Sequence, residues 1–89
     1  MITPKRRVAP RFPKSVSEMG VKGDVTCNIR FFIDTKGKPV SVDIDDECPA
    51  PYHQNIREAA MQWSFYPYKN HNGKKVEANF DLSITFRLK

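Results

Sequence analysis

The fold is decided near the C-terminus, by the segment Val76-Glu77-Ala78-Asn79-Phe80-Asp81-Leu82-Ser83-Ile84-Thr85-Phe86-Arg87-Leu88. Apolar and polar residues alternate along it without exception, which predicts a strand with one buried and one solvated face. If this strand lies at a sheet edge, its free backbone N–H and C=O groups form a template for adding another chain's strand. The candidate partner-binding residues in it are Val76, Glu77, Ala78, Asn79, Phe80, Asp81, Leu82 and Ser83.

The positive charge of the chain is concentrated at its N-terminus. The 89 residues are the size of one small domain and carry a formal net charge of +5. Residues 1–14 hold five basic side chains and no acidic one, whereas residues 15–89 hold ten of each. We predict that residues 1–11 are a loosely held, Pro-containing linker end ahead of a domain at residues 12–89. Nucleic-acid binding through this arm is the disfavoured alternative, because the rest of the chain is neutral.

Two further alternating segments, residues 24–34 and 39–46, predict a β-hairpin around the turn Thr35-Lys36-Gly37-Lys38. We expect Asp34 to lie opposite Pro39. This register puts every apolar pair on one face and a complementary charged pair on the other. The apolar pairs are Ile33 with Val40, Phe31 with Val42 and Ile29 with Ile44, and the charged pair is Arg30 with Asp43.

One main helix is expected between the hairpin and the last strand, beginning near Pro51 and ending near Ser64. Its apolar face consists of Tyr52, Ile56, Ala59, Ala60 and Trp63. A short helix is expected at residues 13–20. This order predicts an α+β domain of two layers, in which the main helix and the short N-terminal helix cover one face of a three-stranded antiparallel sheet.

The cysteines, Cys27 and Cys48, are diagonal neighbours on the helix side of the sheet in this register. Diagonal positions lie roughly 7–8 Å apart, just beyond the usual Cα separation of a disulfide, but the chain can bend after the strand ends. We predict a disulfide in an oxidising compartment. The alternative is a pair of buried, reduced thiols packed as small apolar residues.

Catalytic and metal-binding patterns are absent from the sequence. It contains no phosphate-binding loop, dinucleotide fingerprint, nucleophile elbow or HExxH helix, and neither His53 nor His71 has an evident Ser or Cys partner. The acidic residues between 43 and 47 lack the Gly and the later Glu of a calcium-binding EF-hand loop. We therefore predict no enzymatic activity, no metal and no cofactor.

Several segments, in this order and spacing, resemble the TonB C-terminal domain, and the resemblance covers about residues 10–89. They are Phe12-Pro13 before a short helix, Gly20-Val21-Lys22-Gly23-Asp24-Val25, Phe31-Phe32-Ile33-Asp34 ahead of Gly37, Trp63-Ser64-Phe65-Tyr66-Pro67 after a helix carrying Ala59-Ala60, and Ile84-Thr85-Phe86-Arg87-Leu88.

The resemblance implies a periplasmic domain, tethered through a preceding Pro-rich linker to an inner-membrane helix on which a proton-driven motor complex works. The last strand would capture an extended segment of an outer-membrane transporter by strand addition, and force would pass through it. The family's order for the three strands is 2-1-3, with the first in the centre. The stretch before Phe12-Pro13 would also touch the captured segment, and in this chain it is Val8, Ala9, Pro10 and Arg11.

Two alternatives use the same features. Related domains occur in other envelope-spanning machines, including gliding systems, and this sequence is compatible with such a role. The open edge is also compatible with a structural module that pairs with its own copy as a homodimer.

Overall fold

The structure is a computed structural model that describes residues 2–14 and 24–86. Its elements are β1 (Pro4–Arg6), β2 (Val25–Ile33), β3 (Pro39–Ile44), α1 (Ala50–Ala60), β4 (Ser64–Phe65) and β5 (Ala78–Phe86). Most of the short helix predicted at residues 13–20 lies outside the described residues, as do Arg87 and Leu88 of the last predicted strand. Within these two ranges, no helix is long and apolar enough to cross a bilayer.

The main sheet has three strands in the order β3-β2-β5, and both pairs are antiparallel. Alternation along β2 buries one set of side chains and exposes the other, as its period of two requires. Because α1 packs beside β3 and its apolar side chains join the core of the sheet, the α+β class is confirmed. A second sheet, formed by β1 and β4, was not predicted.

The predicted hairpin register holds in the middle of the hairpin and fails next to the turn. Phe31 lies opposite Val42, Ile29 opposite Ile44 and Arg30 opposite Asp43, as predicted. Closer to the turn, a β-bulge shifts the register, so that Ile33 pairs with Pro39. The predicted pairs of Ile33 with Val40 and of Asp34 with Pro39 are therefore wrong.

The turn itself explains this shift. The N–H of Asp34 donates to the C=O of Lys38 at 2.9 Å, which closes the turn one residue earlier than the prediction assumed. Val40 becomes the extra residue of the bulge and its side chain is 59% exposed, while Pro39 is buried in its place.

The apolar face of α1 is buried as predicted, but the helix is shorter than expected. Tyr52, Ile56, Ala59 and Ala60 are buried within it, and Trp63 is buried beyond its end. The helix ends at Ala60 because the chain tightens into two i→i−3 hydrogen bonds and then enters β4 at Ser64. The predicted end near Ser64 is too late by one turn.

Aromatic side chains fill the centre of the core. Phe31 stacks on Phe80 with ring centroids 5.5 Å apart, and it meets the edge of Phe65 at 5.3 Å. Both arrangements are favoured geometries for aromatic pairs. Trp63 lies 5.4 Å from Phe31 on the side of α1. The core therefore joins β2, β5, β4 and the end of the helix.

The N-terminal arm is held in place, contrary to the prediction of a loosely held segment. β1 pairs with β4, and the indole N–H of Trp63 donates to the C=O of Val8 at 2.8 Å. The side-chain amide of Asn55 donates to the C=O of Arg11 at 2.9 Å. Neither strand of the small sheet is long enough for its periodicity to be detected, which is why the sequence pattern did not predict it.

The predicted disulfide between Cys27 and Cys48 is present, with Cα atoms 4.9 Å apart. The two Cα atoms are closer than diagonal strand positions because β3 ends at Ile44 and the chain turns back. The N–H of Cys48 donates to the C=O of Asp45 at 3.0 Å in this turn. Both cysteines are buried.

Candidate functional site

The candidate site is the outer edge of β5. β5 pairs along its whole length with β2, from Ala78 opposite Ile33 to Phe86 opposite Val25. In residues 2–14 and 24–86, no strand pairs with its other side. The edge begins after Val76, because the N–H of Val76 already donates to the C=O of Tyr68 at 3.0 Å.

The hydrogen bonds of β2 determine which backbone groups of β5 point outward. The N–H of Asp45 donates to the C=O of Asn28 at 3.0 Å, so Asn28 directs its backbone groups toward the β3 side. In an antiparallel ladder, the N–H and C=O of one residue point to the same side, and successive residues alternate. The odd-numbered residues of β2 therefore direct their backbone groups toward β5.

The register then identifies the free groups of β5. Odd-numbered residues of β2 lie opposite the even-numbered residues of β5, such as Ile29 opposite Leu82. The even-numbered residues of β5 are thus used inside the sheet, and the odd-numbered ones face the open side. Each outward-facing residue offers one N–H and one C=O. These residues are Asn79, Asp81, Ser83 and Thr85.

The opposite edge of the same sheet is partly covered. By the same alternation, the backbone groups of Val42 on β3 point outward. Nη1 of Arg57, on α1, donates to the C=O of Val42 at 3.0 Å. β3 is also only six residues long and bulged near the turn. Bulges and covering side chains are the usual ways of protecting a sheet edge from strand addition.

A groove of about 580 Å³ lies along the open edge. Residues 77–82 form one wall of it, and Ile2 and Tyr68 contribute from outside the strand. The sequence analysis did not identify Ile2 or Tyr68 as site residues. Tyr68 is placed there by a small hairpin in which Lys69 bridges to Lys75. Ile2 is placed there by the pairing of β1 with β4. These strands are too short for a sequence pattern to predict that pairing.

The outer face of the sheet holds a row of polar cross-strand pairs. The guanidinium of Arg30 donates to the carboxylate of Asp81, with Nε–Oδ1 at 2.8 Å and Nη2–Oδ2 at 3.2 Å. These hydrogen bonds lower the pKa of Asp81 and raise that of Arg30. Ser83 donates its hydroxyl to Oδ1 of Asn28 at 2.6 Å. The side chains of Asp81 and Ser83 are therefore engaged within the sheet, whereas their outward backbone groups remain available.

The second predicted contact stretch lies elsewhere. Val8, Ala9 and Arg11 line a separate hollow of about 190 Å³ against α1. The C=O groups of Val8 and Arg11 already accept hydrogen bonds from Trp63 and Asn55. The structure therefore does not bring residues 8–11 into the groove beside β5.

No metal centre is formed by the residues that the structure describes, since no three His, Cys, Asp or Glu side chains converge among them. Oδ1 of Asp45 accepts the N–H of Glu47 at 3.1 Å, as in an ordinary Asp-capped turn. Nε2 of His53 lies 2.6 Å from the C=O of Cys48 at the start of α1.

Comparisons with known proteins agree with this fold. The Pseudomonas aeruginosa TonB C-terminal domain, solved by NMR in solution, is similar with a TM-score of 0.74 and 22% sequence identity, over 99% of this chain and 87% of that one. No curated protein matches the chain. The family described as the C-terminal part of Gram-negative bacterial TonB protein matches residues 8–88. The chain therefore belongs to the TonB C-terminal family.

Proposed function

We propose that the chain is a periplasmic protein-binding module that captures an extended segment of an envelope partner by strand addition to the open edge of β5. It would transmit force from an inner-membrane motor complex, to which a segment preceding this chain would tether it. Membership of the TonB C-terminal family is consistent with energy transduction in the envelope. The observation that carries the proposal is the pair of unlike edges, because β5 is open within the described chain while Arg57 covers β3.

The open edge offers enough hydrogen bonds for a specific, reversible contact. Four outward-facing residues, from Asn79 to Thr85, provide four donors and four acceptors. Each hydrogen bond contributes about 0.5–1.5 kcal/mol net. A partner pulled parallel to β5 would load these bonds together, so that the contact resists force better than bonds broken one after another.

In this proposal, force would leave the edge through β2 and the disulfide. β5 is bonded to β2 along nine residues, and β2 carries Cys27 near its start. The disulfide connects Cys27 to Cys48, directly before α1. A pull on β5 would therefore reach the helical layer through a covalent bond as well as through packing. We assign the module no catalytic step and no cofactor.

The proposal is tested by NMR titration of the chain with synthetic peptides from the plug segments of outer-membrane transporters of the same genome. The amides of Asn79, Asp81, Ser83 and Thr85 should shift most. Ser83→Pro removes one outward N–H, a change that edge strands tolerate, and should weaken binding about two- to tenfold. Ser83→Ala is the matched control, because it removes the same hydroxyl and keeps the N–H.

The proposal fails if the shifts cluster on α1 or on residues 2–11, or if the proline and alanine variants bind equally. Binding only by peptides from another envelope machine, such as a gliding system, would keep the strand-addition site and change the partner. Sedimentation over a range of concentrations tests the self-assembly alternative. A stable dimer at low micromolar concentration, lost in Ser83→Pro, would favour it.

A further inference from the structure

In the residues that the structure describes, the two ends of the main sheet differ in charge, although residues 15–89 are neutral as a whole. Segments 24–28 and 43–49, which meet at one end of the main sheet, contain five acidic side chains and no basic one. The balance at the opposite end of the sheet is the reverse. The net charge of zero therefore combines an acidic end and a basic end of the sheet.

Six of the seven lysines in the described residues belong to three segments that converge at that opposite end. We call this surface the basic tip, and it comprises Lys5, Lys36, Lys38, Lys69, Lys74 and Lys75. All six are exposed. The acidic residues in the same segments and beside them are Asp34 and Glu77.

Backbone hydrogen bonds join two of the three segments to β4, and the third follows β4 directly along the chain. The turn between β2 and β3 is attached to β4, because the N–H of Phe65 donates to the C=O of Gly37 at 2.9 Å. β1, which carries Lys5, pairs with the other side of β4. The hairpin that starts at Lys69 follows β4 along the chain and leads into β5. The basic tip is thus a feature of the tertiary structure.

The two carboxylates offset two of the six positive charges, which leaves a formal net charge of +4, and Asp34 is tied to the turn. Its Oδ1 accepts the N–H groups of both Lys36 and Lys38 at 2.9 Å, so that its carboxylate is turned into the loop. The hydrogen bond from Lys38 is the main reason that the pKa of Asp34 lies below its ordinary value.

Two tyrosines are exposed beside these lysines. The side chain of Tyr66 is 55% exposed and that of Tyr68 is 38% exposed. Nζ of Lys5 lies 5.9 Å from the centroid of the Tyr66 ring. Tyrosine has an apolar ring and a polar hydroxyl, a combination that suits the boundary between lipid and water.

We propose that the basic tip docks on the phosphate headgroups of an anionic phospholipid bilayer, with Tyr66 and Tyr68 at the headgroup level. Lysines act as mobile point charges that suit a diffuse anionic surface, whereas recognition of single phosphates favours the bidentate fork of arginine. The six lysines come from three separate segments of the chain. The tip lies at the Ala78 end of β5, so docking would hold that end of the open edge, where Tyr68 lines the groove, beside the bilayer.

The test is flotation of the 89-residue chain with vesicles of phosphatidylethanolamine containing phosphatidylglycerol, compared with vesicles of phosphatidylcholine alone. Binding should require the anionic lipid. It should disappear near 1 M salt, where the Debye length falls to about 3 Å. Lys74→Gln with Lys75→Gln should reduce partitioning about 25-fold, which corresponds to about fivefold for each basic residue near an anionic surface.

The matched control is Arg11→Gln with Lys14→Gln, which removes the same charge from exposed residues outside the basic tip and should have a much smaller effect. Tyr66→Ser should reduce partitioning while leaving its salt dependence unchanged. Circular dichroism confirms that each variant is folded.

Three results would overturn the proposal. They are no binding to the anionic vesicles, an equal loss in the control variant, or tighter binding to duplex DNA than to the vesicles at the same salt. The last result would make the tip a nucleic-acid surface. None of these measurements uses the edge of β5, so their outcome is independent of strand addition.

Discussion

The contact between the β2–β3 turn and β4 depends on the absence of a side chain at Gly37. Gly37 has a φ of +85°, and its C=O accepts the N–H of Phe65 at 2.9 Å. A Cβ at this position would overlap the carbonyl oxygen of Phe65 and come within 2.8 Å of its carbonyl carbon. These atoms are backbone and cannot rotate away, so Gly37→Ala must separate the turn from β4.

Gly73 provides a matched control. It has a similar φ of +78°, but a Cβ there would meet nothing within 4 Å. Alanine in this region of φ costs about 1–2 kcal/mol, partly offset by about 0.4–1 kcal/mol from a less flexible unfolded chain. We expect Gly73→Ala to lower the free energy of unfolding by about 1 kcal/mol.

Gly37→Ala carries the same conformational cost and a further loss. The hydrogen bond to Phe65 contributes about 0.5–1.5 kcal/mol. The shift of β4 also loosens Phe65, which is buried against Phe31 and Phe80, and overpacking of this kind typically costs about 1–3 kcal/mol. We therefore expect a total loss of about 3 kcal/mol or more.

Urea denaturation, followed by the fluorescence of Trp63, measures both variants. Trp63 is the single tryptophan and lies 6.0 Å from the ring of Phe65, so it reports on the contact itself. The expected difference between the variants is about 2 kcal/mol. Losses within about 0.5 kcal/mol of each other would show that the close approach at Gly37 does not contribute to stability, and the reasoning would be refuted.

Three further predictions concern the cross-link, the turn and the covered edge. Reduction of the disulfide, whose cysteines are 21 residues apart in sequence, should lower the free energy of unfolding by about 3 kcal/mol. Urea titration with and without reductant measures this loss. A Cys27→Ala/Cys48→Ala variant should not respond to reductant. Asp34→Asn should lower the free energy of unfolding at neutral pH. The pKa of Asp34 is lowered in the fold, so its carboxylate stabilises the native state at pH values above its ordinary pKa of 3.8. This difference from the wild type should fade in thermal melts as the pH falls through the folded-state pKa, and a constant difference would contradict it. Arg57→Met, which frees the C=O of Val42, should expose a second edge and increase self-association in sedimentation, whereas unchanged association would show that Arg57 does not protect β3.

The faces of the strands, the interior register of the hairpin and the disulfide were predictable from the sequence. Periodicity belongs to single segments, so alternation in β2 and β5 predicts which side chains are buried without knowledge of the rest of the chain. Pairing two such patterns then specifies the register, because a slip of one residue would move every side chain of one strand to the opposite face of the sheet. The same register placed Cys27 near Cys48.

Only the tertiary structure decided the features on which the proposed function depends. Strands as short as β1 and β4 have no detectable period, and the bulge at Val40 follows from the closure of the turn at Asp34. The openness of β5 depends on where the other segments lie, since the same alternation would suit a central strand. The basic tip likewise exists because hydrogen bonds bring together lysines that are distant in sequence, and no local pattern contains that information.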